Sequence, residues 1–119
     1  MRGPVADLLI DTDVFVDHLR GANEFHPKRH RVHYSAVTRA ELFAANSASD
    51  VCSRLLAPLR EVEVDRAIAE RAGRIARESG TRLPDALIAA TALERGLSVV
   101  TRNRKHFAPI RGIRLRSID

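Results

Sequence analysis

The chain has one cysteine and no tryptophan among its 119 residues. Cys52 has no partner for an internal disulfide, and a single thiolate cannot form a cysteine metal cluster within one chain. A solitary cysteine usually behaves as a small apolar side chain, so we expect Cys52 to be buried. These absences exclude folds stapled by disulfides and sites in which several thiolates hold a metal.

Aromatic residues and long apolar runs are also scarce. Aromatic side chains make up 4% of the sequence, which argues against extensive platforms for stacking bases. The apolar stretches are far shorter than the roughly 20 residues that span a bilayer. Asp7 interrupts the N-terminal segment before an apolar region typical of a secretory signal can form. We therefore expect a soluble protein of the cytoplasm with no membrane partner.

Arginine, in contrast, is abundant. Lys28 and Lys105 are the only lysines among 20 Lys and Arg residues, and the formal net charge is +5. The planar guanidinium binds phosphate through two hydrogen bonds, so this composition favours a polyanionic partner such as nucleic acid. A solvated basic surface is the alternative, because net charge concerns association and not fold.

Strand-like and helix-like segments alternate along the chain. A hydrophobic content of 45% over 119 residues predicts one domain, residues 1–119, with a sizeable core. Predicted strands cover residues 7–10, 32–34, 61–64, 97–100 and 114–118, and predicted helices cover residues 12–19, 37–46, 49–56, 66–78 and 84–95. This alternation predicts an α/β fold with a parallel sheet covered by helices, in which ligands bind beyond the carboxyl ends of the strands.

Four polar residues, Asp11, Glu41, Asp85 and Asn103, stand where apolar segments pass into the next element. Asp11 and Asn103 follow predicted strands, so both fall at the edge where ligands bind. Helical spacing groups each of the other two acids with small apolar residues: Glu41 with Val37, Ala40 and Ala44, and Asp85 with Ile88, Ala89 and Ala92. Both acids are therefore predicted to point inward, where a charge needs compensation.

Each of these residues also has a local structural explanation. Asp11 fits the N-cap of the helix that it precedes, and Asn103 fits a turn. Glu41 stands three residues after Thr38, the spacing of a capping box. Asp85 follows a proline, a common way to open a helix. A shared site explains all four residues together.

A divalent cation would compensate these carboxylates. Hard cations such as Mg²⁺ prefer carboxylate oxygens and water, and they leave positions open for phosphate oxygens. Such an ion neutralises clustered acids, lowers the pKa of a bound water and stabilises charge that develops at phosphorus. Clustered acids in a basic protein therefore predict metal-assisted hydrolysis of phosphodiester bonds.

Four longer motifs contain these residues. They are Leu8-Leu9-Ile10-Asp11-Thr12, Ser35-Ala36-Val37-Thr38-Arg39-Ala40-Glu41-Leu42, Asp85-Ala86-Leu87-Ile88-Ala89-Ala90-Thr91-Ala92-Leu93 and Val99-Val100-Thr101-Arg102-Asn103-Arg104-Lys105-His106-Phe107. In this order and spacing, which cover nearly the whole chain, they resemble the PIN-domain ribonucleases, specifically the VapC toxins of type II toxin-antitoxin systems.

The resemblance implies a three-layer α/β/α fold with a central parallel sheet of four to five strands. It also implies RNA cleavage that depends on Mg²⁺ or Mn²⁺, a homodimer, and a cognate VapB-type antitoxin that blocks the active site. By motif position, Asp11 and Asp85 would be direct metal ligands. Glu41 would complete the acidic pocket and help to orient or deprotonate the attacking water.

The chain departs from the family pattern at two positions. Asn103 stands where the family often has a fourth acid. The missing negative charge would weaken or abolish a second metal site. Asp13 stands where Ser or Asn is common, and its charge would restore some acidity. Thr101, at the same strand end as Asn103, would hydrogen-bond a ligand carboxylate or a metal-bound water.

Two other functions remain open from the sequence. The segment Ile10-Asp11-Thr12-Asp13-Val14 resembles the nucleophile motif of haloacid-dehalogenase-like phosphatases, in which Asp11 would form an aspartyl-phosphate. That family also uses a downstream lysine followed by an acidic pair, which this sequence lacks. The other possibility is a non-catalytic module that binds RNA or protein, with Asn103 marking a degraded site.

Several basic side chains are secondary candidates. His26, His30 and His33 have spacings that would suit zinc on a helix, but Pro27 and neighbouring basic residues favour a solvated loop. His106 precedes Phe107 in a segment expected to fold under the sheet, so a structural role is favoured. Arg39, Arg102, Arg104 and Lys105 adjoin the predicted site in sequence and are candidates to hold phosphates, with an ordinary exposed face as the alternative.

Overall fold

The structure is a computed structural model that describes residues 4–46 and 48–117. Its elements in chain order are β1 (Asp7–Ile10), α1 (Thr12–Leu19), β2 (Arg31–Ser35), α2 (Ala36–Ala45), α3 (Ser49–Leu56), β3 (Arg60–Val62), α4 (Arg66–Ser79), α5 (Leu83–Arg95), β4 (Ser98–Val100) and α6 (Arg104–Phe107). Most helices and strands lie within one or two residues of their predicted positions. The short helix α6 was not predicted.

Four parallel strands form the sheet in the order β3-β2-β1-β4. β1 occupies an inner position, and Leu8, Leu9 and Ile10 have no exposed surface, as expected for a strand that is covered on both faces. The chain moves from β1 to β2 on one side and reaches β4 on the other. Beyond the carboxyl ends of β1 and β4 there is consequently a crevice of the kind in which α/β proteins bind ligands.

Side chains of β1 alternate between two layers of helices. Leu8 and Ile10 pack in a cluster with Phe15 of α1 and with buried residues of α2 and α3. Leu9 faces the other way and packs with Ile88 of α5 and with α6. Small and apolar residues join α4 to α5 on this second side. The predicted three-layer α/β/α arrangement is confirmed.

The ends of the sheet differ from the prediction. β3 covers residues 60–62 instead of 61–64, because its pairing with β2 places Glu61 beside Tyr34 and ends at Ser35 and Val62. The predicted strand 114–118 is reduced to one parallel bridge between Val99 and Leu115, and residue 118 lies outside the described residues. Within the described part of the chain the sheet has four strands, the lower of the two predicted numbers.

Helix α2 buries residues other than those the spacing indicates. Its buried residues are Thr38 and Leu42, whereas Ala40 and Ala44 are exposed. In α4, similarly, Ile68 is buried, whereas Ala67 and Ala69 on either side of it are exposed. Burial follows the larger side chain in both helices, because it removes more apolar surface from water than an alanine methyl does.

Two smaller expectations have clear outcomes. Cys52 is fully buried, as predicted, and its Sγ lies 3.9 Å from the carbonyl oxygen of Leu42. In residues 4–46 and 48–117, no helix combines the length and apolar character that crossing a membrane requires.

Candidate active site

A cleft of about 380 Å³ lies beyond the carboxyl ends of β1 and β4. The structure brings all four predicted site residues to this cleft: Asp11, Glu41, Asp85 and Asn103. The eight remaining lining residues come from the adjoining helices and the residues next to them: Thr12, Asp13, Val16, Asp17, Arg20, Arg82, Pro84 and His106. Acids therefore line the cleft, and basic side chains stand among them.

Asp11 is the most buried of the four predicted residues, with 7% of its surface exposed. It is the N-cap of α1, and its Oδ1 accepts a hydrogen bond of 2.9 Å from the Thr12 backbone N–H. Its Oδ2 accepts a second bond of 2.8 Å from the Thr101 hydroxyl. The capping explanation and the site explanation therefore both describe this residue.

Burial raises the pKa of the Asp11 carboxyl from 3.8 to about 7, and the charges of Asp13 and Asp85 add to this effect. Hydrogen bonds from Thr101 and from the Thr12 backbone oppose it. A carboxylate in this position is destabilised by lost hydration and by neighbouring negative charge, which are conditions that favour a bound cation.

Glu41 is fixed by a chain of hydroxyl groups. The Thr12 Oγ1 lies 2.6 Å from Glu41 Oε1 and 2.9 Å from Thr38 Oγ1. Since a hydroxyl has one proton and an ionised carboxylate can only accept, Thr12 donates to Glu41 and Thr38 donates to Thr12.

The capping box was a wrong explanation for Glu41. Ser35 caps α2 by accepting from the Val37 N–H, and Thr38 lies inside the helix.

We expect the variant Thr12→Val to lose the bond to Glu41 and to leave the buried Thr38 hydroxyl without an acceptor. The cost in the free energy of unfolding should be about 1–2 kcal/mol. Thr12→Ser retains the hydroxyl and is the matched control. Urea denaturation of the three proteins measures the difference, and equal midpoints for Thr12→Val and the wild type would contradict the hydroxyl chain.

Asp85 lies in the first turn of α5, where Leu83 is the first helical residue and Pro84 the second. Ile88, Ala89 and Ala92 of the same face are buried, as predicted. The side chain of Asp85 is 23% exposed, and its Oδ2 lies 3.4 Å from Nδ1 of His106. Helix α5 thus holds Asp85 at the boundary between core and cleft.

His106 differs from its predicted structural role. Its side chain is 52% exposed and lines the cleft beside Asp85. The buried anchor of this segment is its neighbour Phe107, which has no exposed surface. The single turn of α6 points the two residues in different directions, so that burial of one places the other at the cleft.

Asn103 is exposed and precedes α6, but its side chain does not cap that helix. Its Nδ2 donates a hydrogen bond of 2.7 Å to Oδ2 of Asp13. The backbone N–H of Asn103 donates to the Thr101 hydroxyl at 3.0 Å. The end of β4 is therefore connected to Asp11 through Thr101 and to Asp13 through Asn103.

Sequence reasoning did not propose Asp17, Arg20 and Arg82 for this cleft. Asp13 and Asp17 of α1 and its C-cap Arg20 are spaced i, i+4 and i+7, so helical periodicity contained the signal for Asp17 and Arg20. Arg82 stands three residues before Asp85 and was detectable only by its closeness in sequence. Arg102 forms an ion pair with Asp17. Each was overlooked because charged residues on a helix usually face solvent.

Two secondary candidates have other surroundings. Arg39 pairs with Glu61 at 2.5 Å and with the Tyr34 hydroxyl at 2.7 Å, and it does not line the cleft. The three histidines of the 23–33 region have separate partners: His26 contacts Glu24, His30 accepts from the Ala6 backbone N–H at 3.0 Å, and His33 contacts the carbonyl oxygen of Leu8. His30 is buried, so the solvated loop expected for this segment is wrong at that residue. Arg39 is therefore not placed to hold a phosphate in the cleft, and these histidines are not placed to share a zinc ion.

The donor set of the cleft suits a hard cation. Asp11, Asp13, Glu41 and Asp85 offer carboxylate oxygens, and no cysteine lines the cleft. Among the described residues, no three acidic, histidine or cysteine side chains stand close enough together to enclose an ion as they are placed. A hard cation that keeps several water ligands fits these separated carboxylates better than an ion enclosed entirely by protein.

Comparison with known families decides the assignment. The PIN domain family matches residues 8–112, which contain the whole sheet and the cleft. The chain belongs to the PIN domain family. A comparison with curated protein sequences gave no match.

Solved structures of toxin-antitoxin complexes share this PIN fold. One, VapBC-5 from Mycobacterium tuberculosis, has 31% identity and a TM-score of 0.67, with 97% of this chain and 98% of that chain covered. A toxin-antitoxin complex from Klebsiella pneumoniae has 28% identity and a TM-score of 0.74, with 89% and 94% covered. DNA-bound VapBC from Salmonella typhimurium has 25% identity and a TM-score of 0.70, with 97% and 100% covered. These neighbours are consistent with the PIN-domain toxins that the sequence motifs resemble.

Proposed function

We propose that this PIN domain is a metal-dependent endoribonuclease and the toxin of a VapBC-type toxin-antitoxin pair. The observation that carries the proposal is the convergence of Asp11, Glu41 and Asp85 on one cleft at the switch between β1 and β4. The buried Asp11, whose pKa is raised to about 7, is the strongest sign that a cation belongs there. The proposed cofactor is Mg²⁺, with Mn²⁺ as a substitute.

Each acid has a distinct part in the proposed reaction. Asp11 and Asp85 would hold the cation, which when bound supplies charge neutralisation and activation of water for attack on phosphorus. Glu41, whose Oε1 is occupied by Thr12, has its other oxygen available to accept a proton from the attacking water. Thr101 fixes the rotamer of Asp11 through its hydrogen bond to Oδ2. Asn103 contacts the site through Asp13.

The basic residues around the cleft suit an RNA strand that passes across it. One adjoining depression shares Arg82, Asp85 and His106 with the cleft and adds Lys105. A second adjoining depression contains Arg102, Arg104 and Arg116 and shares Asp17 with the cleft. Cations in both depressions would bind phosphates that flank the scissile bond, which favours cleavage within a strand over removal of terminal nucleotides.

Arg82→Gln tests this placement of the substrate. Loss of one phosphate contact should raise KM for a short single-stranded RNA by about 3–10-fold and reduce the salt dependence of binding by nearly one ion. The matched control is Arg77→Gln, which removes the same charge from an exposed position of α4 outside the cleft. Equal effects of the two variants on KM would show only general electrostatic attraction and would contradict a contact at Arg82.

The proposed function has a direct test. The purified protein is incubated with a labelled single-stranded RNA in Mg²⁺, in Mn²⁺ and in EDTA, and the products are separated on a sequencing gel. Internal cuts that require the divalent ion are expected. RNA binding without cleavage under any of these conditions would instead indicate a non-catalytic module, and release of phosphate from p-nitrophenyl phosphate would indicate a phosphatase.

The proposed partners follow from the neighbouring complexes. The similar structures include toxin-antitoxin complexes, among them VapBC from Salmonella typhimurium bound to DNA. By analogy we propose a VapB-type antitoxin that covers the cleft, a homodimer of this chain, and a cytoplasmic site of action. Co-expression with the product of an adjacent short reading frame should yield a complex on size-exclusion chromatography with light scattering, and cleavage by that complex should be suppressed. Monomeric free protein would contradict the homodimer.

A further inference from the structure

Asp13 lines the cleft, but its position in α1 does not explain the hydrogen bonds that it makes. It stands in the first turn of that helix, where an acid ordinarily interacts with the free N–H groups of the helix. The capping position is already taken by Asp11. The hydrogen bonds of Asp13 come instead from Arg102 and Asn103, which follow β4 and are distant in sequence.

These bonds hold the carboxylate in one place. The Arg102 backbone N–H lies 3.3 Å and 3.2 Å from the two oxygens, and Asn103 Nδ2 lies 2.7 Å from Oδ2. The Thr101 hydroxyl lies 3.4 Å from the same Oδ2 and 2.8 Å from Oδ2 of Asp11. Asp11 and Asp13 therefore lie on either side of one hydroxyl group, and Asp13 is close enough for its charge to act on Asp11.

We propose that Asp13 supplies the fourth carboxylate of the metal site and that Asn103 is the positioning residue that holds it there. This inference rests on the proposed function. An amide at 103 is required because two carboxylates separated by 2.7 Å would repel each other, whereas an amide and a carboxylate form a hydrogen bond. Asp13 and Asn103 together carry one negative charge. In their hydrogen bond the amide donates and the carboxylate accepts.

The geometry also predicts that the amide and the carboxylate can exchange positions. In the double variant D13N/N103D the amide at 13 donates to the carboxylate at 103, so the bond is retained in the opposite direction. The amide oxygen at 13 still accepts from the Arg102 backbone N–H. The charge moves by only about the length of one hydrogen bond, which an aqueous ion with flexible water ligands tolerates.

The test measures metal affinity without RNA. Isothermal titration with Mn²⁺ should show an affinity that is about 10–100-fold weaker in Asp13→Asn than in the wild type, as for other residues that orient or complete a metal site. Asn103→Ala, which removes the hydrogen bond and leaves the charge, should weaken it by about 3–10-fold. D13N/N103D should recover to within about 3-fold of the wild type.

Asp50→Asn is the matched control. It removes one negative charge from an exposed position of α3 outside the cleft, at a side chain that pairs with Arg54. Its Mn²⁺ affinity should change by no more than about 3-fold. Thermal melting of each variant with and without Mn²⁺ confirms folding and gives a second measure of binding through the shift in Tm.

The outcomes separate this inference from the proposed function. Wild-type affinity in Asp13→Asn, or equal losses in Asp13→Asn and Asp50→Asn, would overturn the role of Asp13. Wild-type affinity in Asn103→Ala would overturn the positioning role, as would a double variant no better than Asp13→Asn. A wild-type protein that neither binds Mn²⁺ nor cleaves RNA would overturn the proposed function itself.

Discussion

Asp85→Asn should reduce metal-dependent RNA cleavage by at least about 100-fold. The substitution preserves the shape of the side chain but removes one of the two charges that are proposed to hold the ion directly. Because losing a residue that only orients a ligand typically costs 10–100-fold, the loss of a ligand itself should cost at least as much. The measurement is kcat/KM on a fluorogenic RNA over a range of Mg²⁺ concentrations.

The fold should survive this change. Asp85 is 23% exposed at the mouth of the cleft, and its helix already begins at Leu83 without a side-chain cap. Asp50→Asn is a suitable control, because it removes the same charge from an exposed position of α3 that pairs with Arg54. Activity of Asp85→Asn within a few-fold of the wild type, in a preparation free of wild-type protein, would contradict the assignment of Asp85 as a ligand.

Asp11→Asn should make the metal-free protein more stable, and the gain should grow with pH. The folded-state pKa of about 7 lies above the unfolded value of 3.8, so the folded protein binds more protons than the unfolded chain between these two values. Stability contributed by the protonated carboxyl is therefore present below about pH 4 and is lost as pH rises toward 7. A difference of about three units corresponds to about 4 kcal/mol.

Thermal melting in EDTA at several pH values measures this effect. The Tm of Asp11→Asn should exceed that of the wild type by an amount of the order of 10 °C at pH 8, and the two should approach each other near pH 4. Asp7→Asn is the control of opposite sign, since Arg31 lowers the pKa of Asp7 and the ionised form is the stabilising one. That variant should lose a little stability at pH 8 and none at low pH.

Addition of Mg²⁺ distinguishes a metal ligand from an ordinary buried acid. At pH 8 the ion should raise the Tm of the wild type, because it binds the folded protein and compensates the ionised carboxylate. It should have little effect on Asp11→Asn. A pH-independent difference between these two proteins, or an equal response of both to Mg²⁺, would contradict the account of Asp11.

Much of the framework was predictable from local patterns. The strand predicted over residues 7–10 is present as β1, and the helix predicted over residues 66–78 is present as α4, which ends at Ser79. Alternation of strands and helices predicted a parallel sheet, which the strand pairing confirms. Periods of two and 3.6 residues depend on neighbours in sequence, so they can be read without knowledge of the fold.

Predictions failed where larger neighbouring side chains or partners distant in sequence decide which residues are buried. Glu41 was assigned to a face with Ala40 and Ala44, yet α2 buries Thr38 and Leu42 because the bulkier side chains fill the core. His106 was expected to be structural, yet burial of Phe107 leaves it at the cleft. Both errors arose because spacing shows which residues share a face but not which of two adjacent faces the core selects.

The sequence by itself determined the parallel α/β architecture, the basic charge and the positions of Asp11, Glu41, Asp85 and Asn103 next to apolar segments. Only the tertiary structure decided that these residues share one cleft and that Thr12 holds Glu41. It also decided that Asn103 holds Asp13 across 90 residues of chain. The physical reason is that strand pairing joins the end of β1 to the end of β4, and hydrogen bonds across that junction depend on distances in space that local sequence patterns do not contain.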